Sequence, residues 1–465
     1  MTLQGALRWD RASSWSPGGK NGAPGSSPLN AAPIQFDKLM SVDAYNDITP
    51  RFGAAYDLFG NGKTAIKFNM GHYLDAATND SAYTRNNPAN RIVSTYDRGW
   101  TDTDNDKVVD CNLLILTLND ECAALTGNNL NFGNVNTGAT RVNADTLHGW
   151  GVRENDWQWG VTVQQEIRPR VSLEVGYARR WFKGVTVTDN TNRSPDQYDS
   201  YIVTAPSDSR LPGGGGYPIR IYQATNAALA IPASNYITFQ TDFGPEQTNY
   251  WQGVDLTLNA RTRWGLMLSG GTSTGRSVTD ECATTVRIDS PDPRNCRDVD
   301  PFQTTLRGFA SYTIPRIDVL VSGTFRSQPE VELIANLNLP NSSTSPACAS
   351  NPAACVTVQS LLGRVPTGAT ATGTTTVALL DNDHRLYSGQ RRTQVDMRFA
   401  KVLRFRSTRA DVGVDLANLL NTNYITAWDN TYQYSIGNAA NGGTWNNPTT
   451  ILAPRFVRLN LTLGF

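Results

Sequence analysis

From Asp156 to Ile167 the chain alternates between apolar and polar residues. Trp157, Trp159, Val161, Val163 and Ile167 share one parity; Gln158, Gly160, Thr162, Gln164 and Glu166 share the other. A period of two is the period of a β-strand, whose side chains point to opposite faces in turn. After Arg168-Pro169-Arg170 a second run begins. Val171, Leu173, Val175, Tyr177 and Trp181 alternate there with Ser172, Glu174, Gly176, Ala178 and Arg180. Comparable runs lie near 2–11, 48–58, 63–73, 156–167, 171–182, 249–261, 264–275, 303–314, 316–327, 391–404, 409–418 and 455–465. No amphipathic helical stretch of similar length competes with them. The pattern predicts an all-β chain of about 12 strands.

The connections constrain the fold further. They run long, short, long, short to the end. The short ones are Phe59-Gly60-Asn61-Gly62, Arg168-Pro169-Arg170, Thr262-Arg263, Pro315 and Phe405–Thr408; the long ones are 12–47, 74–155, 183–248, 276–302, 328–390 and 419–454. A soluble sandwich has no reason to gather every long loop at one end. An antiparallel transmembrane β-barrel does, with short periplasmic turns and long extracellular loops. The strand lengths suit a tilted crossing of the hydrocarbon, which takes about 9–11 residues. The apolar face is then expected to meet lipid. The polar face, carrying Gln164, Glu166, Glu174, Asp255, Asn259, Asp396, Arg398, Asp411 and Asp415, is expected to line a wet lumen. Trp9, Trp157, Trp159, Tyr177, Trp181, Trp264 and Tyr312 fall towards strand ends, where an aromatic girdle belongs.

Composition excludes several classes. Lys+Arg and Asp+Glu both number 41, so no basic excess marks a nucleic-acid binder. Mean hydropathy is −0.39, and no apolar run approaches the roughly 18 residues of a membrane helix. Gly 39 and Pro 24 break the chain too often for a coiled coil. The N-terminus carries no signal peptide. Either the protein is cytoplasmic, or the chain is a fragment whose export signal lies upstream. The cysteines favour the second. Cys111 with Cys122, Cys282 with Cys296, and Cys348 with Cys355 form three close pairs in polar connections. Such spacing predicts three loop-closing disulfides made in an oxidising compartment, against the alternative of six unrelated thiols. No CxxC occurs, and His72, His148 and His384 are scattered, so neither a zinc site nor a catalytic constellation is expected.

The last strand, Arg455 to Phe465, places Val457, Leu459, Leu461, Leu463 and Phe465 on one face. It resembles the terminal strand of bacterial outer-membrane barrels, whose final Phe belongs to the signal read by the barrel-assembly machinery. Wider segments resemble TonB-dependent receptors of the Oar-like type. They are Asp47-Ile-Thr-Pro-Arg-Phe-Gly-Ala-Ala-Tyr-Asp-Leu-Phe-Gly-Asn-Gly-Lys-Thr-Ala-Ile-Lys-Phe68 with His72-Tyr73, Trp100 to Cys111 with Glu121-Cys122, and Asp415-Leu-Ala-Asn-Leu-Leu-Asn421. The likeness covers residues 1–465. It implies a 22-strand barrel filled by a plug, preceded by a TonB box and often by a carboxypeptidase-regulatory-like domain. None of those three is visible in the sequence, so the chain is expected to be the C-terminal part of such a barrel, most simply a truncated product. The resemblance implies an outer-membrane receptor in contact with lipid and lipopolysaccharide. It would import a small-molecule, glycan or peptide nutrient with energy from TonB. A passive channel and a surface-exposed adhesin stay open as alternatives.

One further motif bears on cofactors. Asp102-Thr-Asp104-Asn-Asp106-Lys-Val-Val-Asp110 sets carboxylates on alternate residues, as calcium loops do. Lys107 stands where a calcium loop usually has Gly. The motif is read either as a Ca2+ site that stiffens an extracellular loop or as a solvated acidic hairpin tip. Trp428, Tyr432, Tyr434 and Trp445 of the last loop are expected to pack the loops on one another, with stacking on a ligand as the second reading.

Overall fold

The computed structural model describes all residues except 23–28, 30–31, 80, 290, 350–354, 406–407, 434–442 and 465. Phe465 and Tyr434 therefore lie outside the described residues. Twelve long strands follow one another in chain order as an antiparallel meander. They are β1 (Thr2–Ser16), β2 (Leu39–Asp57), β3 (Thr64–Leu74), β4 (Asn155–Arg168), β5 (Val171–Lys183) and β6 (Thr248–Arg261). They continue as β7 (Met267–Asp280), β8 (Gln303–Ile314), β9 (Val319–Gln328), β10 (Arg392–Phe405), β11 (Thr408–Ala417) and β12 (Phe456–Gly464). Two short strands, His148–Trp150 and Arg297–Val299, pair with β2 and β7. Among the described residues no ladder joins β1 to β12, so these two strands form the edges of the sheet. No helix is long and apolar enough to cross a membrane, which says nothing about crossing by strands.

The register keeps each face uniform. Trp157 stands opposite Trp181 and Val163 opposite Val175; Val175 is in turn opposite Leu256. At the far edge Val412, Val414 and Leu416 face Leu461, Leu459 and Val457. This apolar face is half or fully open, Leu459 retaining 79% of its surface. Open apolar side chains along the whole sheet match a wall that meets hydrocarbon.

The expected strands match the observed ones closely, with shifts at four of them. β7 starts at Met267 and not near 264, because Thr262–Leu266 closes the turn through a Thr262 N–H bond to the Leu266 carbonyl (2.8 Å) and Gly265 at φ 90°. Trp264 therefore sits in the turn and not on the strand. β9 starts at Val319, because Arg316 and Asp318 adopt left-handed φ of 73° and 48° and lengthen the turn beyond Pro315. β1 and β2 extend past the expected 2–11 and 48–58.

All long connections leave from the same end of the meander, and so do the disulfides. Cys111–Cys122, Cys282–Cys296 and Cys348–Cys355 are paired, with sequence separations of 11, 14 and 7. The dry interior of the molecule is in these connections. Tyr201, Val203, Leu211 and Ile219 from 184–247 pack with Leu337, Leu339, Val358, Val377 and Leu379 from 329–391 and with Tyr432 and Trp445 from 418–455. Short ladders build this cap: Tyr198–Thr204 with Pro218–Ala224, and Asn336–Pro340 with Thr374–Ala378 and Thr431–Tyr432.

Candidate functional site

The polar face opposite the apolar one carries a succession of ion pairs. Lys67 meets Glu174 at 3.5 Å, Arg180 meets Asp156 at 2.8 Å, and Arg398 meets Asp415 at 3.8 Å. Asn460 bridges the last pair, accepting from Arg398 (2.7 Å) and donating to Asp415 (2.9 Å). Asp411 holds Arg409, Gln394 donates to Asp396, and Ser269 donates to Asn259. The predicted polar residues thus share one surface. Paired charge is what a water-lined wall tolerates and a hydrocarbon-facing one does not.

Near its long-loop end this face opens into two adjoining cavities of about 200 and 360 Å³. Asp75, Ala76, Ala77 and Arg153 line both. Arg153 donates through Nε to Asp47 Oδ2 (2.9 Å) and through Nη1 to the Asp75 carbonyl (3.3 Å). Its guanidinium lies over the Tyr45 ring at 5.5 Å. Asp47 is only 1% exposed, and its Oδ1 has no hydrogen-bond partner among the described residues. Arg51 stacks over Tyr73 at 4.7 Å on the floor of the second cavity. Farther round, Trp251 lies flat across the polar face of β6 and β7. A Cβ on Gly253 or Gly275 would come within 2.6 Å of its ring, so both positions require glycine. Arg153 and Trp251 were missed by the sequence reading. Trp251 had a legible signal, an aromatic standing on the polar parity of its strand.

The cap is tied by charge as well as packing. Tyr432 donates to Asp208 (3.0 Å), which also receives Arg210 Nη2 (2.8 Å); Arg210 Nη1 donates to the Trp445 carbonyl (2.9 Å). Burial alone would raise the Asp208 carboxyl, but the bonds from Arg210 and Tyr432 hold it below the usual range. Burial pushes the Tyr217 hydroxyl up to about 12. Trp428 is half-buried, and the buried Tyr432 and Trp445 pack against the other two loops.

In the connection 75–154, Asp102, Asp104 and Asp106 bring one carboxylate oxygen each to within 4.8 Å of one another. Asp110 is outside that group, and the neighbouring Asp106 carboxylate pushes it up. Lys107 takes φ 64°, the left-handed form usually left to Gly, and its N–H reaches Asp102 Oδ2 (3.1 Å). Glu121 closes the loop, accepting from Thr103 N (2.6 Å), Thr103 Oγ1 (2.9 Å) and Asp110 N (3.1 Å) beside the Cys111–Cys122 link. The group offers three hard oxygens, of the kind calcium takes in sets of about six to eight. The three histidines are far apart in setting. His72 stacks on Trp157, His148 is bonded to the Ser41 carbonyl, and His384 meets Asp381 at 2.7 Å.

Residues 1–315 match the family described as the outer membrane beta barrel domain. Solved structures similar to the chain include the FrpB iron transporter from Neisseria meningitidis (9% identity, TM-score 0.39, 99% of this chain and 42% of that one). They also include the outer membrane transporter YddB from Escherichia coli (11%, 0.39, 90% and 42%). A third is the siderophore receptor PirA from Acinetobacter baumannii (11%, 0.36, 92% and 42%). The chain spans 42% of the length of each of these three. No curated protein matches it.

Proposed function

Because the chain belongs to the outer membrane beta barrel domain family and so resides in the outer membrane, we propose that it forms barrel wall and extracellular loops of a TonB-dependent type receptor. It captures a nutrient at its loops for active import. The observation that supports this reading most is that three long loops from one end of the sheet fold on a shared core, beside a polar, ion-paired face with cavities around Arg153. A passive pore has no use for loops that share a hydrophobic core over its mouth. Coupling to TonB requires a plug and a TonB box. The edges β1 and β12 leave backbone groups unpaired, and hydrocarbon offers these no water. They are the places where the wall takes partner strands. The terminal strand with Phe465 is the part we assign to the barrel-assembly machinery.

The test uses cells displaying the full chain and four probe classes: ferric chelates, cobalamin, oligosaccharides and peptides. One class is expected to be retained, and Arg153→Ala to cut its retention about tenfold, the loss of one charge-assisted contact. Retention of none, with steady unselective current across a planar bilayer, would establish the passive channel in its place.

We further propose that Asp102, Asp104 and Asp106 hold a calcium ion that stiffens the loop around Cys111. Calcium on the order of 0.1–1 mM is expected to slow protease cleavage of this loop, as for extracellular calcium modules, while magnesium does not. Asp104→Asn should abolish the protection. Cleavage indifferent to calcium would leave the solvated hairpin tip as the correct reading.

A further inference from the structure

On the polar face Lys67, Arg153, Arg180 and Arg398 each meet a carboxylate. Two arginines on the apolar face do not. Arg179 of β5 and Arg276 of β7 stand directly opposite Gln252 of β6, one on each side of it. All three share the parity of Tyr177, Val254 and Leu256, the face turned to lipid. Their height is the long-loop end of the wall, which is the outer leaflet. Arg179 lies over the Tyr250 ring at 4.2 Å and Arg276 over the Phe302 ring at 4.7 Å. Neither makes an ion pair among the described residues, and Arg276 Nε is buried without a hydrogen-bond partner. The nearby carboxylates are engaged elsewhere, Glu246 with Lys183 (2.7 Å) and Asp280 with Arg297 (3.7 Å). Gln252 accepts from the Tyr177 hydroxyl (3.1 Å), which leaves its amide N–H₂ to donate outward.

A guanidinium facing a membrane without a counter-ion is costly unless the membrane supplies one. We propose that Arg179, Gln252 and Arg276 bind the phosphate of a glycolipid headgroup in the outer leaflet. Guanidinium forks match phosphate oxygens in pairs, and the aromatic rings beneath fix both forks in place. The occupant is a lipid and not free phosphate because of what lies below. Val175, Val254 and Leu256 continue the same face as an apolar surface for acyl chains. The inference rests on the wall standing in the membrane and is independent of what the loops capture.

The test uses the full chain purified in detergent, its folding checked by heat-modifiable gel mobility. The probe is bisphosphorylated lipid A, compared with the same lipid after removal of its phosphates, with bound lipid counted by native mass spectrometry. The double variant Arg179→Gln/Arg276→Gln is expected to bind the phosphorylated lipid roughly 30-fold more weakly, from the attraction lost with two arginines at a membrane surface. The dephosphorylated lipid should bind the unaltered protein as weakly as that variant binds the probe. Arg326→Gln, the loss of one charge on the polar face, should change nothing. Arg276→Lys, which keeps the charge but not the fork, should fall between and serves if the double variant does not fold. Equal retention by the double variant, or an equal loss in Arg326→Gln, would overturn the site. Displacement by millimolar inorganic phosphate would overturn the lipid as its occupant. A chain that stays soluble and folded without detergent would instead overturn the membrane reading itself.

Discussion

Leu256→Arg is expected to hold the chain off the membrane, while Thr257→Arg, one residue along, leaves it nearly unaffected. Leu256 lies in the lower half of β6, with Val175 on one neighbouring strand and Thr272 on the other. Its side chain points to the face that carries Val163, Val254 and Leu258. An arginine near the bilayer midplane on the lipid side of a barrel costs about 2–4 kcal/mol, because its fork has neither water nor a carboxylate within reach. Thr257 points the other way, with Glu174 opposite it on β5 and Gly271 on β7. An arginine there gains a carboxylate partner in a wet lumen, and the change should stay within about 1 kcal/mol. The two variants have the same net charge and sit on the same strand, so their difference isolates the face. The measurement is the folded fraction on a heat-modifiable gel after refolding into phospholipid vesicles, together with the urea midpoint. Equal costs at 256 and 257 would mean that the sheet does not separate lipid from water.

That contrast was legible in the sequence because membrane strands are long and their parity is kept for ten residues or more. Each of the twelve wall strands overlaps its predicted run, and the turn at Arg168-Pro169-Arg170 falls where expected. The errors lie where a few residues choose an unusual backbone. Arg316 and Asp318 carry no glycine signal, so their left-handed turn was hidden and the start of β9 was placed early. Length also explains the cap. Its strands, such as Asn336–Pro340 and Thr374–Ala378 with five residues each, are too short for a period to stand out. Tyr432 and Trp445 announced a packed loop but not which loops would meet them. Arg153 follows from no motif at all. It is a loop residue carried back to Asp47 across 106 positions. Pairing of that kind is decided by topology and leaves no local trace.

The cap itself yields the second large effect. Trp445→Ala is expected to loosen all three loops together by about 3–5 kcal/mol, the cost of emptying a buried aromatic site. Trp445 is 1% exposed and packs against Tyr432 at 5.3 Å between ring centres. Its indole N–H donates to the Ile334 carbonyl (2.8 Å), which the substitution would leave orphaned. Arg210, held by Asp208 from another loop, lies over its ring at 5.2 Å. Tyr432→Phe removes only the hydroxyl bond to Asp208, whose carboxylate keeps Arg210, and should cost about 1 kcal/mol. Because the core residues come from 184–247, 329–391 and 418–455, opening one loop exposes the apolar side chains of the other two. Protease sites in all three should therefore appear at the same protease concentration in the Trp445→Ala protein, while heat-modifiable mobility of the wall is unchanged. Cleavage confined to 418–455 would show three independent loops. Joint cleavage would show one cooperative unit, and a ligand that seats on any of the three loops then necessarily biases the other two.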